Sequence, residues 1–176
     1  MTPSGSVPLE QAEGIQMFGS ERSFESFFEA NRPRLFGSFC LITGSPHEAE
    51  EIAQDAFLRL WERWDRVSAM DDPTGFLFRT AMNVFRSRRR RAVLATKRTL
   101  ALAPAADELA AVEDRDELVR RMLPLTAHQR AALVLTNYLG YSSEDAARIL
   151  HVRASTVRAL ATKGRATARR STEGSP

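Results

Sequence analysis

Cysteine is nearly absent: of 176 residues only Cys40 carries a thiol, which excludes an intramolecular disulfide and any cysteine-built metal cluster. Long apolar runs are missing too. The longest is a handful of residues, far short of the roughly 20 needed to cross a bilayer, and the start MTPSGSVPLEQ lacks the basic-then-apolar order of an export segment. These absences predict a cytoplasmic protein. Histidine is scarce and scattered, with His47, His128 and His151 far apart and without metal-ligand spacing, and no glycine-rich phosphate loop occurs. The expectation is a chain with no catalytic residues, no metal and no cofactor, whose work is binding. Cys40, in FCLI, reads as a core residue, and His47 and His128 as surface residues near helix starts.

What is present is charge, arranged in blocks. The formal net charge is only +3, yet residues 79–98 hold eight basic side chains and no acid, and residues 148–170 hold seven and again no acid. Acidic blocks separate them: Glu48, Glu50, Glu51 and Asp55, then Asp107, Glu108, Glu113, Asp114, Asp116 and Glu117. Two separate basic faces suit two places on one polyanion.

Apolar residues recur at helical spacing and never convincingly alternate, so the expected class is all-α. Phe24, Phe27, Phe28, Leu35, Phe39 and Ile42 mark a first helix, with Pro33 as a kink or break and Gly44 as its end. Ser45, Pro46 and Glu48 then open a second through a proline-started capping box. Its buried face is Ala49, Ile52, Ala53, Ala56, Leu60 and Trp64. Asp72 caps a third helix that begins at Pro73 and ends in RSRRRR. The Ala-rich stretch 92–112, interrupted by Pro104, reads as a flexible linker. Beyond it come a short helix in DRDELVRRMLPL, a second capping box at Thr126 and Gln129, and two helices joined by HVRAS. The expected organisation is a disordered tail at 1–20, a helical domain at 21–91, the linker at 92–112, a helix-turn-helix domain at 113–170 and a tail at 171–176.

On the third helix Arg79, Asn83, Arg86 and Arg90 advance by four, three and four residues and so line one stripe, as contact with a phosphate backbone requires. Leu77, Ala81 and Val84 face the core. Phe78, Met82 and Phe85 form a row between the two, suited either to stacking on unpaired bases or to packing against the second helix. On the last helix Val157, Ala161, Gly164 and Ala168 share an inner face, while Arg158, Thr162, Arg165 and Arg169 lie opposite, flanked by Lys163 and Arg170. That pattern suits a helix inserted in the major groove.

The order FFEANRPRLF, AEEIAQDAFLRLWERW, FLFRTAMNVFRSRRRR, a linker, LPLTAHQRAALVL, GYSSEDAARIL and STVRALATKGRA resembles a group IV sigma factor of the sigma-70 family, the extracytoplasmic-function type, over about 24–170. The resemblance implies region 2 followed by region 4, and a transcription initiation factor that binds core RNA polymerase, recognises promoter DNA and helps melt it. It implies that Asp55, Phe57, Leu58, Arg59 and Trp61 dock on the clamp helices of the polymerase largest subunit. It assigns Asp71, Asp72, Thr74, Arg79, Asn83, Arg86, Arg89 and Arg90 to the minus-10 element, where a base leaves the stack. Arg153, Ser155, Thr156, Arg158, Thr162, Lys163, Arg165 and Arg169 fall to the minus-35 element. An anti-sigma factor is an implied partner; a small-molecule substrate and direct membrane insertion are not. A linker of about 20 residues spans at most roughly 70 Å, near two turns of B-DNA at ~34 Å each.

The sequence departs from that pattern in the helix-turn-helix. His151 stands where glycine is frequent in the turn, so either φ is negative there or His151 is left-handed. Arg153 stands where a small capping residue is usual, so the cap passes to Ser155 or the helix starts uncapped, and Gly164 costs its helix about 1 kcal/mol relative to alanine. Two other classes fit less of the chain: a helix-turn-helix regulator acting without polymerase, and an all-α adaptor or anti-factor whose basic blocks bind acidic proteins.

Overall fold

The structure, a computed structural model, describes residues 23–98, 118 and 121–173. Every regular element among them is helical, and no helix is long and apolar enough to cross a membrane. The tail expected at 1–20 and the linker stretch 99–112 lie outside the described residues, as does most of the short helix expected in DRDELVRRMLPL.

Helix α1, Phe24–Thr43, starts where Ser23 accepts the Ser26 N–H at 3.1 Å and stops at Gly44, whose φ of 82° is readily adopted only without a Cβ. Pro33 does not break it; the helix runs through the proline without interruption. Ser45 accepts the Glu48 N–H at 3.2 Å and Pro46 occupies the first turn of α2, Pro46–Trp61. This helix ends earlier than its apolar spacing suggests. The chain turns at Glu62 and Arg63, and Trp64 opens a separate short helix α3, Trp64–Ser68, that the sequence pattern merges with α2. Asp72 caps α4, Pro73–Arg98, by accepting the Gly75 N–H at 2.8 Å. Helix α4 continues through residues 92–98, read above as linker. Ala, Leu, Lys and Arg are good helix formers, so the low-complexity composition does not stop it.

In the second unit the capping box at Thr126 and Gln129 is complete, with the Thr126 side chain on the Gln129 N–H at 3.3 Å and the Gln129 side chain on the Thr126 N–H at 2.9 Å. Helix α5, Ala127–Leu133, passes into a wide turn over Val134–Tyr138, where the Leu139 N–H reaches back to the Val134 carbonyl at 2.9 Å. Helices α6, Ser143–Leu150, and α7, Ala154–Glu173, form the helix-turn-helix, and α7 runs past the expected domain end at 170.

Gly164 is the closest approach in that pair. A Cβ there would stand 2.9 Å from Leu133 Cδ1 and 3.3 Å from Leu125 Cδ2, so glycine lets α7 lie against α5. The expected cost of glycine in this helix is therefore not recoverable by alanine. Gly164→Ala gains about 1 kcal/mol in helix propensity, but displacing two buried leucines costs roughly 1–3 kcal/mol. A lower melting temperature by circular dichroism is the expected result; a higher one would show that the leucines give way freely.

The two units are not apart. α1 packs on α5 and on the turn after it, and α4 packs on α6. Arg130 on α5 donates from Nε to the Ile42 carbonyl at 2.8 Å and from Nη2 to the Thr43 carbonyl at 3.4 Å. Arg34 on α1 donates from Nη2 to the Leu139 carbonyl at 3.0 Å, and the rings of Phe78 and Tyr141 meet edge to face at 6.2 Å.

Candidate nucleic-acid and polymerase interfaces

The core explains which side of α4 is free. Leu77, Ala81 and Val84 are buried as expected, and so are Phe78, Met82 and Phe85. That decides the open question about the middle row: packing takes it, with Phe85 against Phe39 at 6.4 Å and Phe78 against Tyr141. The stripe itself remains at the surface. Asn83 and Arg90 are exposed, while Arg79 and Arg86 are half-buried. The Arg79 guanidinium lies 5.9 Å from the Phe76 ring centroid, within cation–π range, and its Nε is buried with no acceptor among the described residues. Burial first, and Arg90 second, hold the Arg86 guanidinium below its ordinary pKa, as expected of a cation held with no carboxylate among the described residues to pair it. Arg89 lies over the Phe85 ring at 5.7 Å.

The run 86–91 is not uniform. Arg88 turns toward α2 and binds Glu51 at 2.6 Å and Asp55 at 3.4 Å. No acid interleaves this run in sequence, yet the fold brings two carboxylates to one of its arginines. Asp55, read as a polymerase contact, thus also anchors α4. In the loop before α4, Asp71 is exposed, Asp72 is committed to the cap, and Thr74 Oγ1 donates to Asn31 Oδ1 at 3.3 Å. Asn31, buried on α1 and donating to the Phe27 carbonyl at 2.9 Å, steadies this loop. Sequence periodicity places it on the buried side of α1 but gives no hint of its partner.

On α2 the five predicted docking residues separate by depth. Phe57 is 4% exposed and packs its ring on Phe28 at 4.7 Å. Leu58 and Trp61 are 58% and 54% exposed, and Arg59 is exposed with them. Trp61 stands on Phe24, 4.9 Å between centroids, so an aromatic base supports an apolar ledge open to solvent.

In the helix-turn-helix His151 is left-handed, φ 49° and ψ 46°, and its N–H closes α6 on the Ala147 carbonyl. Helix α7 begins at Ala154: the Thr156 and Val157 N–H groups both reach the Arg153 carbonyl, at 2.9 and 3.2 Å. Ser155 therefore lies inside the helix and does not shorten it. Arg153 occupies the cap position with a side chain that offers no acceptor, at a typical cost of about 1 kcal/mol. Val157, Ala161 and Gly164 are buried, and Ala168 is half-buried. Arg153, Ser155, Thr156, Arg158, Thr162, Lys163, Arg165 and Arg169 are all exposed. Arg158 donates to Glu144 on α6 at 3.1 Å, Arg165 to the Thr162 hydroxyl at 3.3 Å, and Arg169 to the Arg165 carbonyl at 3.4 Å.

Sigma-70 region 2 matches residues 27–93, the first unit, and Sigma-70, region 4 matches residues 115–167, the second. The chain belongs to the sigma-70 family, in its extracytoplasmic-function group. A curated relative from Mycobacterium tuberculosis, described as ECF RNA polymerase sigma factor SigM, is 29% identical over 149 residues, covering 84% of this chain and 76% of that protein. Two solved structures share the fold. The sigma factor RpoE of Bartonella quintana, solved with the anti-sigma factor NepR, gives a TM-score of 0.69 at 21% identity, over 87% of this chain and 98% of that one. The PhyRSL–NepR complex from Sphingomonas sp. Fr1 gives 0.60 at 23% identity, over 85% and 88%. In sigma terms the stripe on α4 belongs to region 2 and the α6–α7 pair to region 4. Sigma factors in general are transcription factors and not enzymes.

Proposed function

We propose that this chain is a transcription initiation factor that binds core RNA polymerase, directs it to promoters with minus-10 and minus-35 elements, and assists strand opening. The observation that supports it most is the occurrence of regions 2 and 4 in order on one chain, each bearing a basic helical face. Region 2, from α1 through α4, docks on polymerase through Leu58, Arg59 and Trp61, with Phe57 behind them and Asp55 at the edge. Asp71, Asp72 and Thr74, followed by Arg79, Asn83, Arg86, Arg89 and Arg90, take the minus-10 element. The outer face of α7, Arg153 to Arg169, enters the major groove at the minus-35 element. Arg79 Nε, a donor without an acceptor, finds one in a phosphate or base.

The chain itself catalyses no reaction, acts in the cytoplasm with the polymerase, and is restrained there by an anti-sigma partner. A regulator that used region 4 alone would leave the ledge of Leu58 and Trp61 without purpose. The test is transcription in vitro with core polymerase and the promoter of the chain's own operon. Specific initiation should appear only when the chain is added; no core binding and no specific initiation would sink the assignment.

A further inference from the structure

The contacts between the two units have an unusual chemistry. Arg130 reaches the carbonyls of Ile42 and Thr43, the last two residues of α1, whose own last turn contains no basic residue. Those carbonyls have no partner within the helix, and they are the negative end of its dipole. Arg34, on α1, reaches the Leu139 carbonyl, at the end of the helical run that begins with α5. Each unit thus caps a helix of the other with an arginine.

A third contact lies close to the minus-10 face. The Tyr141 ring packs on Phe78, next in sequence to Arg79 at the head of the stripe. The phenol is half-buried, and its pKa is pushed up by burial first and by Asp72 second, while Arg34 pulls it down. Asp72, the cap of the minus-10 loop, is therefore a near neighbour of region 4 when the units are docked. Arg130 is held below its ordinary pKa by burial and by Arg89, with Glu48 acting the other way. Docking thus sets region 4 beside both Asp72 and Arg89, two of the residues assigned to the minus-10 element. It also sets two cations near each other, which a polyanion arriving at Arg89 would disturb.

We propose that region 4 docks on region 2 in the free chain through these reciprocal arginine caps and the Tyr141–Phe78 contact, and that this closed form is barred from minus-10 DNA until polymerase separates the units. The inference rests on the function proposed above only in taking the face of α4 as the minus-10 face. Few contacts hold the units together, as in a transient interface. Binding to an open form of fraction f is weakened by that fraction, so a closed form depresses apparent affinity for DNA.

Energy transfer between dyes on Glu29→Cys and His128→Cys, both exposed, reports docking in the full chain; Cys40 is buried. High transfer is expected for the otherwise unaltered chain, and low transfer when Arg34→Ala, Arg130→Ala and Tyr141→Ala are combined. Tyr141→Phe keeps the ring and should stay closed. The combined variant should also bind the non-template single strand of a promoter the chain uses roughly tenfold more tightly. Arg34 is exposed, so Arg34→Ala alone keeps both folds and must move both readings the same way. Equal transfer in all variants, or opening without a gain in affinity, overturns the proposal. Core polymerase added to the unaltered chain should lower transfer. If it does not, while the variants both open and bind strand more tightly, the closed form stands and the polymerase-binding assignment falls.

Discussion

Binding to core RNA polymerase is expected to fall by about thirtyfold or more when Trp61 is replaced by alanine, and further when Leu58→Ala is added. Large apolar side chains at the centre of an interface each contribute roughly 2 kcal/mol or more, and each 1.4 kcal/mol is about tenfold in affinity. Both side chains are more than half exposed in the free protein, so their loss creates no cavity in the α1–α2 core. The change for Trp61 is confined to its edge contact with Phe24, which keeps its other rings, Phe28 at 6.2 Å and Trp64 at 5.4 Å. Phe57→Ala is the contrasting case. It empties a buried site and should lower the melting temperature, since removing a buried phenylalanine costs roughly 3–5 kcal/mol. Pull-down on immobilised polymerase, with thermal melts in parallel, separates the two. Unchanged polymerase binding in Trp61→Ala with Leu58→Ala would remove this ledge from the docking face.

The second large effect is expected at the outer face of α7. Arg158→Ala with Arg165→Ala should lower promoter-specific transcription by at least about thirtyfold, because each arginine lost from a base or phosphate costs roughly 1–3 kcal/mol. Folding should barely change. Both residues are exposed, and the Arg158–Glu144 pair that is broken lies at the surface, where such pairs contribute about 0–1 kcal/mol. Polymerase binding through α2 should be unaffected, so the defect appears only in initiation on promoter templates. Normal initiation from the double variant would move minus-35 reading to another face.

The features legible in the sequence were the ones encoded within four residues of themselves. Ser45 with Pro46, Asp72 with Pro73, and Thr126 with Gln129 announce helix starts because a cap acts on N–H groups two or three positions away. The stripe on α4 and the two faces of α7 were legible for the same reason, being matters of period. Where the reading failed, the cause lay further off. The turn at Glu62 and Arg63 contains neither glycine nor proline, so α2 and α3 looked continuous. The middle row of α4 could have stacked on bases or packed inside, and only the approach of Tyr141, 63 positions later, and of Phe39 from α1 shows which. The cross-unit arginines were invisible, since they join residues 88 and 105 positions apart and bind backbone carbonyls, which no side-chain pattern reports.

The pairing of Arg88 with Glu51 and Asp55 alters how region 2 should respond to salt. A DNA strand laid along 86–91 meets five arginines that are not equivalent. Arg86, Arg89 and Arg90 can each displace a condensed cation from the strand, adding about 0.7 to the slope of log affinity against log salt for single-stranded DNA. Arg88 has its charge answered by carboxylates of the same chain and contributes little to that release. The ionic-strength dependence of this face is set by the arginines that the fold leaves uncompensated, and not by the length of the basic run.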